Sequence, residues 1–488
     1  MADRAVASTI QRGDRLNQAR AALEAVGQDH LLRFHDHLDA EGRDRLLSQV
    51  EQLDWPGIAA LIREHGHETA TFRLPEKIDP APWYPNRPTP DLEGKYAEAR
   101  QRGDQLIRDG RIAAFTVAGG QGTRLGWKGP KGGFPATPVR GLCLFGCLAE
   151  YIDKVQRKYD AQVPWYVMTS TENHEQTLEL FEREKHFGLD PGNLMFFSQA
   201  MLPAFDKDSG KVLLTAPDRL ALSPNGHGGS LMALYESGAT ADMKRRGIEL
   251  ISYTQIDNPI VKVIDPVFTG LHALDGGQMS SKVIRKTYPK ERLGNFCMVD
   301  GRITIIEYSD LPDDLAHEQR EDGELRFNAG SIALHVIQRE FVESLNEAPG
   351  GFALPYHRAE KKVPCVDIDT GELVEPDEPN AVKLETFVFD ALPLCETSVV
   401  YETERSEEFA PIKNEDRPGC VECPSWSRMR QTQRAAAWLE QHGVTVPRNA
   451  DGEVDAEIEI SHRTAVEPDD LKEASLPQSI DPGQSVLL

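Results

Sequence analysis

Short apolar runs alternate with amphipathic stretches through the middle of the chain, between residues 111 and 390. Six of the apolar runs are typical of buried strands: Ile112–Ala118, Trp165–Thr169, Leu194–Ser198, Leu250–Gln255, Ser281–Arg285 and Ile303–Tyr308. Helices are predicted between them, among others at Leu142–Tyr159, Asn173–Phe187 and Gly229–Arg246. This alternation predicts an α/β fold with a mostly parallel (mixed) sheet flanked by helices.

The two ends of the chain follow other patterns. Residues 1 to about 72 carry apolar side chains at helical spacing, and one predicted helix includes the run His30–Leu38. Six prolines between residues 75 and 93 indicate an extended linker. After residue 391 we predict a helix at Trp426–His442 with Trp438 and Leu439 inside, then an acidic tail. The predicted domains are therefore 1–100 (helical, with the proline-rich linker), 101–390 (α/β) and 391–488 (small, C-terminal).

Composition and charge narrow the class of protein. Hydrophobic residues make up 40% and charged residues 27% of the 488 positions, which is typical of a globular protein. A formal net charge of −24 argues against a nucleic-acid binder, and it means that local Lys and Arg must meet any anionic substrate. No apolar run approaches the length of about 18 residues that indicates a membrane helix. The N-terminus lacks an apolar signal core.

The cysteines indicate a reducing compartment. There are seven, scattered along the chain and odd in number, which favours free thiols over a disulfide framework. Cys420 and Cys423 form the only C-x-x-C pair, and a zinc site would require a second pair. We therefore expect a cytoplasmic protein.

A glycine-rich turn follows the first predicted strand. Gly119 and Gly120 let the backbone approach a ligand closely, and backbone N–H groups exposed there can hold anionic oxygens. Arg124 and Lys131 add positive charge on either side. These features together predict a site for a nucleotide phosphate.

Two standard phosphate loops do not fit this turn. The Walker pattern requires Ser or Thr after its lysine, and neither follows Lys131. The dinucleotide pattern is incomplete because Leu125 stands at its last position. A nicotinamide-dependent dehydrogenase would also need an acidic residue about 20 positions further on, where the chain has Cys143, Leu144 and Phe145.

A carboxylate follows another predicted strand. Asp257 stands just past Leu250–Gln255, where a hard oxygen ligand suits Mg²⁺ beside substrate phosphates. An aspartate that only caps a turn is equally common in such a place. Position alone leaves both interpretations open.

Several motifs resemble those of one enzyme family. GGQGTRLG followed by PKG resembles the nucleotide-binding signature of eukaryotic-type UDP-sugar pyrophosphorylases, most closely the UDP-N-acetylhexosamine pyrophosphorylases. Further similar segments follow in the family's order, and the resemblance covers residues 27 to 445. It implies a nucleotide-diphospho-sugar-transferase type of α/β domain and the cofactor Mg²⁺. The implied reaction converts UTP and a sugar 1-phosphate into a UDP-sugar and pyrophosphate. Such a protein is expected to be a monomer or weak homo-oligomer that binds no nucleic acid and no membrane.

The resemblance also implies roles for individual residues. Arg124 and Lys131 would neutralise the triphosphate and the leaving pyrophosphate, and Lys413, in FAPIKNEDRPG, would orient the sugar phosphate. Asp257, in the family's D-N segment, would anchor Mg²⁺. The nucleotide would be held by Gly119, Gly120, Gln199, Gly226 and Lys383.

The segments implied for the sugar point to two different sugars. The sugar-binding residues would be His227, Gly294, Glu307, Asn328, Phe387 and Phe389. Asn328-Ala-Gly matches the N-acetylhexosamine branch, whereas His227 replaces the asparagine usual there and resembles the UDP-glucose enzymes. Phe387 and Phe389 would equally suit core packing. We expect N-acetylglucosamine 1-phosphate as the substrate. The alternatives are a glucose 1-phosphate or broad-specificity enzyme and a non-catalytic UDP-sugar sensor.

Overall fold

A computed structural model describes residues 2–66, 75 and 77–488, with side chains from residue 14 onward. The chain divides into two compact units that interleave along the sequence. The first, here called the helical unit, contains residues 1–73, 200–229 and 355–387. The second, the sheet unit, contains residues 74–199, 230–354 and 388–488. The sequence instead predicts three consecutive domains, because it does not show which distant segments pack together.

Ten strands form the central sheet of the sheet unit. In chain order they are β1 Asp79–Pro80, β2 Ile112–Val117, β3 Trp165–Thr169, β4 Leu194–Ser198, β5 Leu250–Gln255, β6 Met279–Arg285, β7 Asn295–Val299, β8 Arg302–Ile306, β9 Ala329–Gln338 and β10 Val400–Glu402. All six strands predicted from the sequence are present.

The sheet is mixed, with a parallel half and an antiparallel half. Its spatial order is β1-β7-β9-β5-β2-β3-β4, while β8 pairs with β7, and β6 pairs with both β9 and β10. Strands β5, β2, β3 and β4 run parallel, and β9 runs antiparallel to β5. The predicted fold class is therefore confirmed.

The parallel strands are mostly apolar because both faces of the sheet are covered, although β5 also contains Ser252, Thr254 and Gln255. Alternate residues of β2 enter two different cores: Ala114 belongs to one and Phe115 to the other. In β3 the same division separates Val167 from Met168. Continuous apolar runs are expected wherever helices cover both faces of parallel strands.

Helices pack on each face of this sheet. The unit's α-helices are Glu93–Arg108, Leu144–Tyr159, His174–Arg183, Gly229–Glu236, Ala239–Arg246, Pro266–Leu274, Asp313–His317, Arg339–Asn346, Arg405–Glu408 and Pro424–Gln441. The single helix predicted at Gly229–Arg246 is two helices, because Gly238 takes a left-handed conformation with φ of 78°. Pro424–Gln441 buries Trp438 and Leu439 as predicted and packs with the parallel strands Ala456–Glu459 and Gln484–Leu487.

The helical unit has a separate core. Its α-helices are Ala2–Ala25, Ala40–Glu51 and Trp55–His65, and its strands are Met201–Pro203, Phe205–Asp206, Leu214–Ala216, Arg219–Leu220, Leu222–Pro224, His357–Lys361, Cys365–Val366, Leu373–Val374 and Ala381–Glu385. Leu23 and Leu46 pack with Leu214 and Leu384 in this core. The segment predicted as helical at His30–Leu38 forms two short 3₁₀ turns, Asp29–Leu32 and His35–His37. Among the described residues no helix is long and apolar enough to span a membrane.

Candidate active site

The carboxyl ends of the four parallel strands meet at one edge of the sheet. Val117 at the end of β2 pairs with Met168 of β3 and with Gln255 of β5. Open α/β sheets bind ligands at this edge. The residues directly beyond the strands include Gly119, Gln199 and Asp257, so the fold brings three predicted site residues to the same edge.

The glycine-rich turn forms a closed loop after β2. The Gly122 amide donates to the Gly129 carbonyl (3.0 Å), and the Lys131 amide donates to the Gly120 carbonyl (3.1 Å). Gly132 lies directly under the Phe145 ring, where a Cβ would come within 2.1 Å of a ring carbon. A Cβ on Gly120 would instead meet nothing within 4 Å. The loop is thus closed at its base and open at Gly120, as a close-approach site requires.

Lys131 and Asp257 face each other at this edge. The Lys131 Nζ lies 3.8 Å from Asp257 Oδ2, and both side chains are largely buried, with 18% and 13% of their surface exposed. Burial lowers the pKa of Lys131, and the positive charges of Lys413 and Arg124 lower it as well. The negative charge of Asp257 raises it, but the net result is a pKa below the usual lysine value. The charges of Arg124, Asp257 and Lys413, the other predicted phosphate and metal residues, therefore all act on Lys131.

Lys413 reaches this region from the C-terminal segment. The amide of the preceding residue, Ile412, donates to the Asp257 carbonyl (2.8 Å). The Lys413 Nζ lies 3.5 Å from Glu422 Oε2 and 5.9 Å from the centre of the Phe409 ring. With 42% of its side chain exposed, Lys413 can turn toward a second anionic ligand.

Gln199 stands at the end of β4, next to the glycine loop. Its backbone amide donates to the Thr169 carbonyl (2.9 Å), and the residue is buried, with 7% of its surface exposed. A Cβ on Gly119 would lie only 3.1 Å from Gln199 Oε1. A side chain at position 119 would therefore require the Gln199 side-chain amide to shift by a few tenths of an ångström.

Two of the predicted sugar residues in the sheet unit lie together. A Cβ on Gly294 would lie 3.4 Å from Glu307 Oε1. Burial, followed by the charges of Asp310 and Asp390, raises the pKa of Glu307. This carboxylate therefore sits where hydrogen-bond donors of a ligand would stabilise it.

Asn328 and Phe389 have separate surroundings in the sheet unit. The Asn328 Nδ2 donates to Glu324 Oε2 (3.0 Å), and its buried Oδ1 has no hydrogen-bond partner. Asn328 also lines a cavity of about 300 Å³ together with Arg285 and Thr287. Phe389 is half-buried and packs against the core on one face of the sheet, as the packing alternative expects.

The helical unit contains the other four predicted residues. Gly226 has φ of 80°, and a Cβ there would lie 2.3 Å from the Thr386 carbonyl oxygen. The His227 ring lies 5.3 Å from the Phe387 ring, between centres, with an angle of 33° between the planes. Lys383 is on the strand Ala381–Glu385, which leads to this contact. The glycine turn at residue 226 and the segment that follows the strand, up to Phe387, therefore form one local cluster.

A buried asparagine that the sequence does not single out fixes the glycine loop. The Asn173 Nδ2 donates to the carbonyls of Ala118 (2.9 Å) and Gly120 (3.1 Å), and its Oδ1 accepts from the Ser170 amide (2.9 Å). Asn173 is fully buried and precedes the helix His174–Arg183. In the sequence it is typical of an ordinary helix cap, so nothing there indicates its reach back to the loop.

Comparison with known proteins identifies the family. Residues 76–433 match the family described as UTP–glucose-1-phosphate uridylyltransferase. The chain belongs to this family. The match includes the glycine loop, Asp257 and Lys413, so these residues lie inside the segment that defines the family.

Individual relatives in the family cover most of the chain. The chain is 35% identical over 462 residues to the UDP-N-acetylhexosamine pyrophosphorylase-like protein 1 of Mus musculus, and the alignment covers 88% of each chain. It is 32% identical over 439 residues to the UDP-N-acetylglucosamine pyrophosphorylase of Saccharomyces cerevisiae, covering 86% of this chain and 90% of that one. The fold is similar to that of the uridine diphosphate N-acetylglucosamine pyrophosphorylase of Trypanosoma brucei, with a TM-score of 0.81, 24% identity and coverage of 96% and 98%.

Proposed function

We propose that this protein transfers the uridylyl group of UTP to a sugar 1-phosphate, with N-acetylglucosamine 1-phosphate as the preferred acceptor. The products are a UDP-sugar and pyrophosphate. Membership of the family makes the protein a nucleotidyltransferase. The observation that carries the proposal is the approach of Lys131 to Asp257, within the field of Arg124 and Lys413, at the carboxyl edge of the sheet.

The proposed reaction requires positioning and charge neutralisation and no covalent intermediate. An oxygen of the sugar phosphate attacks the α-phosphorus of UTP in line, and pyrophosphate leaves from the opposite side. Lys413 orients the attacking phosphate, while Lys131 and Arg124 neutralise the triphosphate and the leaving group. Gly119 and Gly120 allow the nucleotide to approach the backbone, and Gln199 can both donate to and accept from the uracil edge.

The residues present are compatible with a magnesium ion. Mg²⁺ is usually held by one or two carboxylates together with substrate phosphates and water. Asp257 Oδ2 lies 3.8 Å from the Lys131 Nζ, which is too far for a hydrogen bond between them. This carboxylate oxygen is therefore available to a hard cation. When bound, the ion would supply positive charge to the phosphate oxygens. We propose Asp257 as its protein ligand.

The choice of sugar depends on residues that support different acceptors. Glu307, beside Gly294, can accept from two sugar hydroxyls, and the unpartnered Oδ1 of Asn328 can accept another donor. The Saccharomyces cerevisiae relative is named a UDP-N-acetylglucosamine pyrophosphorylase and the Mus musculus relative a UDP-N-acetylhexosamine pyrophosphorylase-like protein, which favours N-acetylglucosamine 1-phosphate. His227, next to Phe387, supports glucose 1-phosphate as the second candidate. Lys383 and Gly226 are proposed for the nucleotide, as the resemblance implies.

The cellular setting is proposed on fewer grounds. All seven cysteines are free thiols, which supports a reducing compartment, and we propose the cytoplasm. We also propose that the protein acts as a monomer or weak homo-oligomer.

The decisive experiment measures pyrophosphate release from UTP and Mg²⁺ with four acceptors. These are the 1-phosphates of N-acetylglucosamine, N-acetylgalactosamine, glucose and galactose. Preference for N-acetylglucosamine 1-phosphate supports the proposal, and preference for glucose 1-phosphate establishes the second candidate. UTP binding without pyrophosphate release with any of the four acceptors would instead favour a different sugar 1-phosphate or a non-catalytic sensor.

A matched pair of variants tests the metal assignment. Asp257→Ala should lower kcat by at least 10²-fold and raise the Mg²⁺ concentration needed for half-maximal rate, because the carboxylate ligand is lost. Asp91→Ala, at an exposed position, should leave both unchanged. A wild-type Mg²⁺ dependence in Asp257→Ala would refute the role of this residue.

A further inference from the structure

Two backbone segments carry the proposed metal ligand and the lysine proposed for the sugar phosphate. Residues 257–262 follow β5 and begin with Asp257, and residues 407–413 end with Lys413. A backbone hydrogen bond joins the functional ends of these segments, from the Ile412 amide to the Asp257 carbonyl (2.8 Å). Other contacts must therefore fix their separation.

Asn258, the neighbour of Asp257, is bonded to both segments. Its side chain is buried, with 7% of the residue exposed. Its Nδ2 donates to the Glu408 carbonyl (2.7 Å), and its Oδ1 accepts from the amides of Ile260 and Ala410 (3.3 Å each). The bonds to Glu408 and Ala410 join the two segments, whereas the bond from Ile260 lies within the first segment.

The Glu408 carboxylate provides a second link. Glu408 is completely buried, and its side chain accepts from the Lys282 Nζ (2.7 and 2.8 Å), the Lys262 amide (3.0 Å) and the Thr403 hydroxyl (2.8 Å). The Lys262 amide belongs to the first segment, so the carboxylate bonds across the same junction as Asn258. Buried charges of this kind hold their partners firmly because an unpaired charge there is costly.

Two buried cations complete the junction. Burial lowers the pKa of Lys282, but the charges of Asp265 and Glu408 outweigh this effect and raise it, so the lysine stays charged. Arg434 donates to the carbonyls of Ile260 (3.3 Å) and Glu407 (3.2 Å), one in each segment. The side chain of Arg434 thus joins the same two segments from the helix Pro424–Gln441.

We propose that Asn258 is a positioning residue that sets the separation between the Asp257 carboxylate and the Lys413 ammonium. It acts by holding residues 407–413 against residues 257–262, with the Glu408–Lys282 pair as a second anchor. This inference rests on the proposed function, which gives Asp257 the metal and Lys413 the sugar phosphate. We call the Asn258 bonds between these two segments the clamp. Loss of the clamp should displace Lys413 from the attacking phosphate and leave the uridine contacts intact.

A kinetic comparison tests the consequence for the reaction. Asn258→Ala should lower kcat at least tenfold and change the KM for UTP less than threefold, because the loss falls on the alignment of the second substrate. The matched control is Asn346→Ala, which removes a half-buried side-chain amide that donates to the carbonyls of Leu231 and Val342 elsewhere in the sheet unit. Asn346→Ala should keep wild-type kcat.

A double-mutant cycle identifies the residue through which Asn258 acts. If Asn258 acts by placing Lys413, then adding Asn258→Ala to Lys413→Ala should cost less than threefold in kcat. A multiplicative loss in the double variant would overturn the proposal, since Asn258 would then act independently of Lys413. Wild-type kcat in Asn258→Ala would overturn it as well.

Hydrogen exchange measures the clamp without reference to activity. The amides of Ala410 and Ile412 should exchange at least tenfold faster in Asn258→Ala and at the wild-type rate in Asn346→Ala. Unchanged exchange at both amides would overturn the clamp. Failure of the proposed function is a distinct result: wild-type protein would release no pyrophosphate with any acceptor, while the exchange rates would still decide whether Asn258 holds the segment.

A milder pair of variants guards against failure to fold. Thr403→Val removes one donor to the Glu408 carboxylate, and Thr403→Ser keeps it. We expect kcat to fall about threefold or more and the Ile412 amide to exchange faster in the valine variant, with both restored in the serine variant. Equal behaviour of the two variants would contradict the anchoring role of Glu408.

Discussion

Lys131 is held at a place that disfavours its own charge. Its pKa lies below the usual lysine value, first because of burial and then because of Lys413 and Arg124, although Asp257 acts in the opposite direction. A lowered pKa of a base means that the folded protein stabilises the neutral form relative to the unfolded chain. Replacing Lys131 with methionine should therefore leave the thermal stability of the ligand-free protein unchanged or raise it.

The magnitude follows from the geometry. At 3.8 Å from Asp257 Oδ2, the attraction of the Lys131 charge is about 4 kcal/mol for an effective dielectric constant of about 20. Burial and the two neighbouring cations exceed this attraction, since the net pKa shift is downward. A phosphate oxygen at a similar distance would gain a similar amount, and loss of one such group costs about 10²- to 10³-fold in rate. Lys131→Met should thus lower kcat/KM by that factor.

Three measurements test this prediction. Thermal denaturation without ligand should give a Tm at or above that of the wild type, and the rise in Tm caused by UTP and Mg²⁺ should shrink. Pyrophosphate release should show the loss in kcat/KM. Lys128→Met, at an exposed position in the same loop, should change neither.

The same lowered pKa predicts the alkaline limb of the pH profile. Raising the pH removes the Lys131 proton. Wild-type kcat/KM should therefore begin to decline at a pH lower than the usual lysine pKa of about 10.4. The reasoning is refuted if Lys131→Met lowers the ligand-free Tm by several degrees, or if it retains wild-type kcat/KM with an unchanged alkaline limb.

Three further predictions concern the glycine loop and buried histidines. Gly132→Ala would place a Cβ 2.1 Å from the Phe145 ring, and we expect about 1–3 kcal/mol of destabilisation in urea unfolding; a wild-type midpoint would contradict this geometry. Gly120→Ala meets nothing within 4 Å, so it should keep the wild-type Tm and raise the KM for UTP; an unchanged KM would remove Gly120 from the site. Burial lowers the pKa of His462 to about 4 and that of His272 to about 3, so both are neutral when folded and bind protons on unfolding below pH of about 6.5. Each histidine should therefore lower the free energy of unfolding by about 2 kcal/mol at pH 5 relative to pH 7. In urea unfolding, His462→Gln should lose less stability than the wild type between pH 7 and pH 5, and an equal loss would contradict the lowered pKa of His462.

The strands of the parallel half could be predicted closely from the sequence. Trp165–Thr169, Leu194–Ser198 and Leu250–Gln255 have the predicted bounds. Burial on both faces favours runs that are mostly apolar, as in the first two strands, whereas Leu250–Gln255 alternates apolar and polar residues from Ile251 to Thr254. The division into units could not be predicted. Residues 200–229 and 355–387 form short strands whose partners lie far away in the sequence, and local pattern carries no information about such pairings.

The site shows the same limit. The glycine loop is visible because its composition and its position after β2 are local properties. Asn258 and Asn173 are not visible as supports, because what distinguishes them is a set of bonds to residues distant in sequence: Glu408 for Asn258, and Ala118 and Gly120 for Asn173. A residue that holds two segments together has no spacing signature, whereas a residue in a compact loop has one.

The interleaving of the two units affects how the chain can fold during synthesis. Leu23 and Leu46 lie on the first two helices of the chain, yet Leu384 of the same core lies in a segment that begins at residue 355. At about 5–20 residues per second, the ribosome reaches that segment roughly 15 to 60 s after His65. During this time the N-terminal helices cannot bury their apolar faces as in the native unit. The nascent chain should therefore be a client of chaperones that bind exposed apolar segments, and its yield should be more sensitive to translation speed than its final stability suggests.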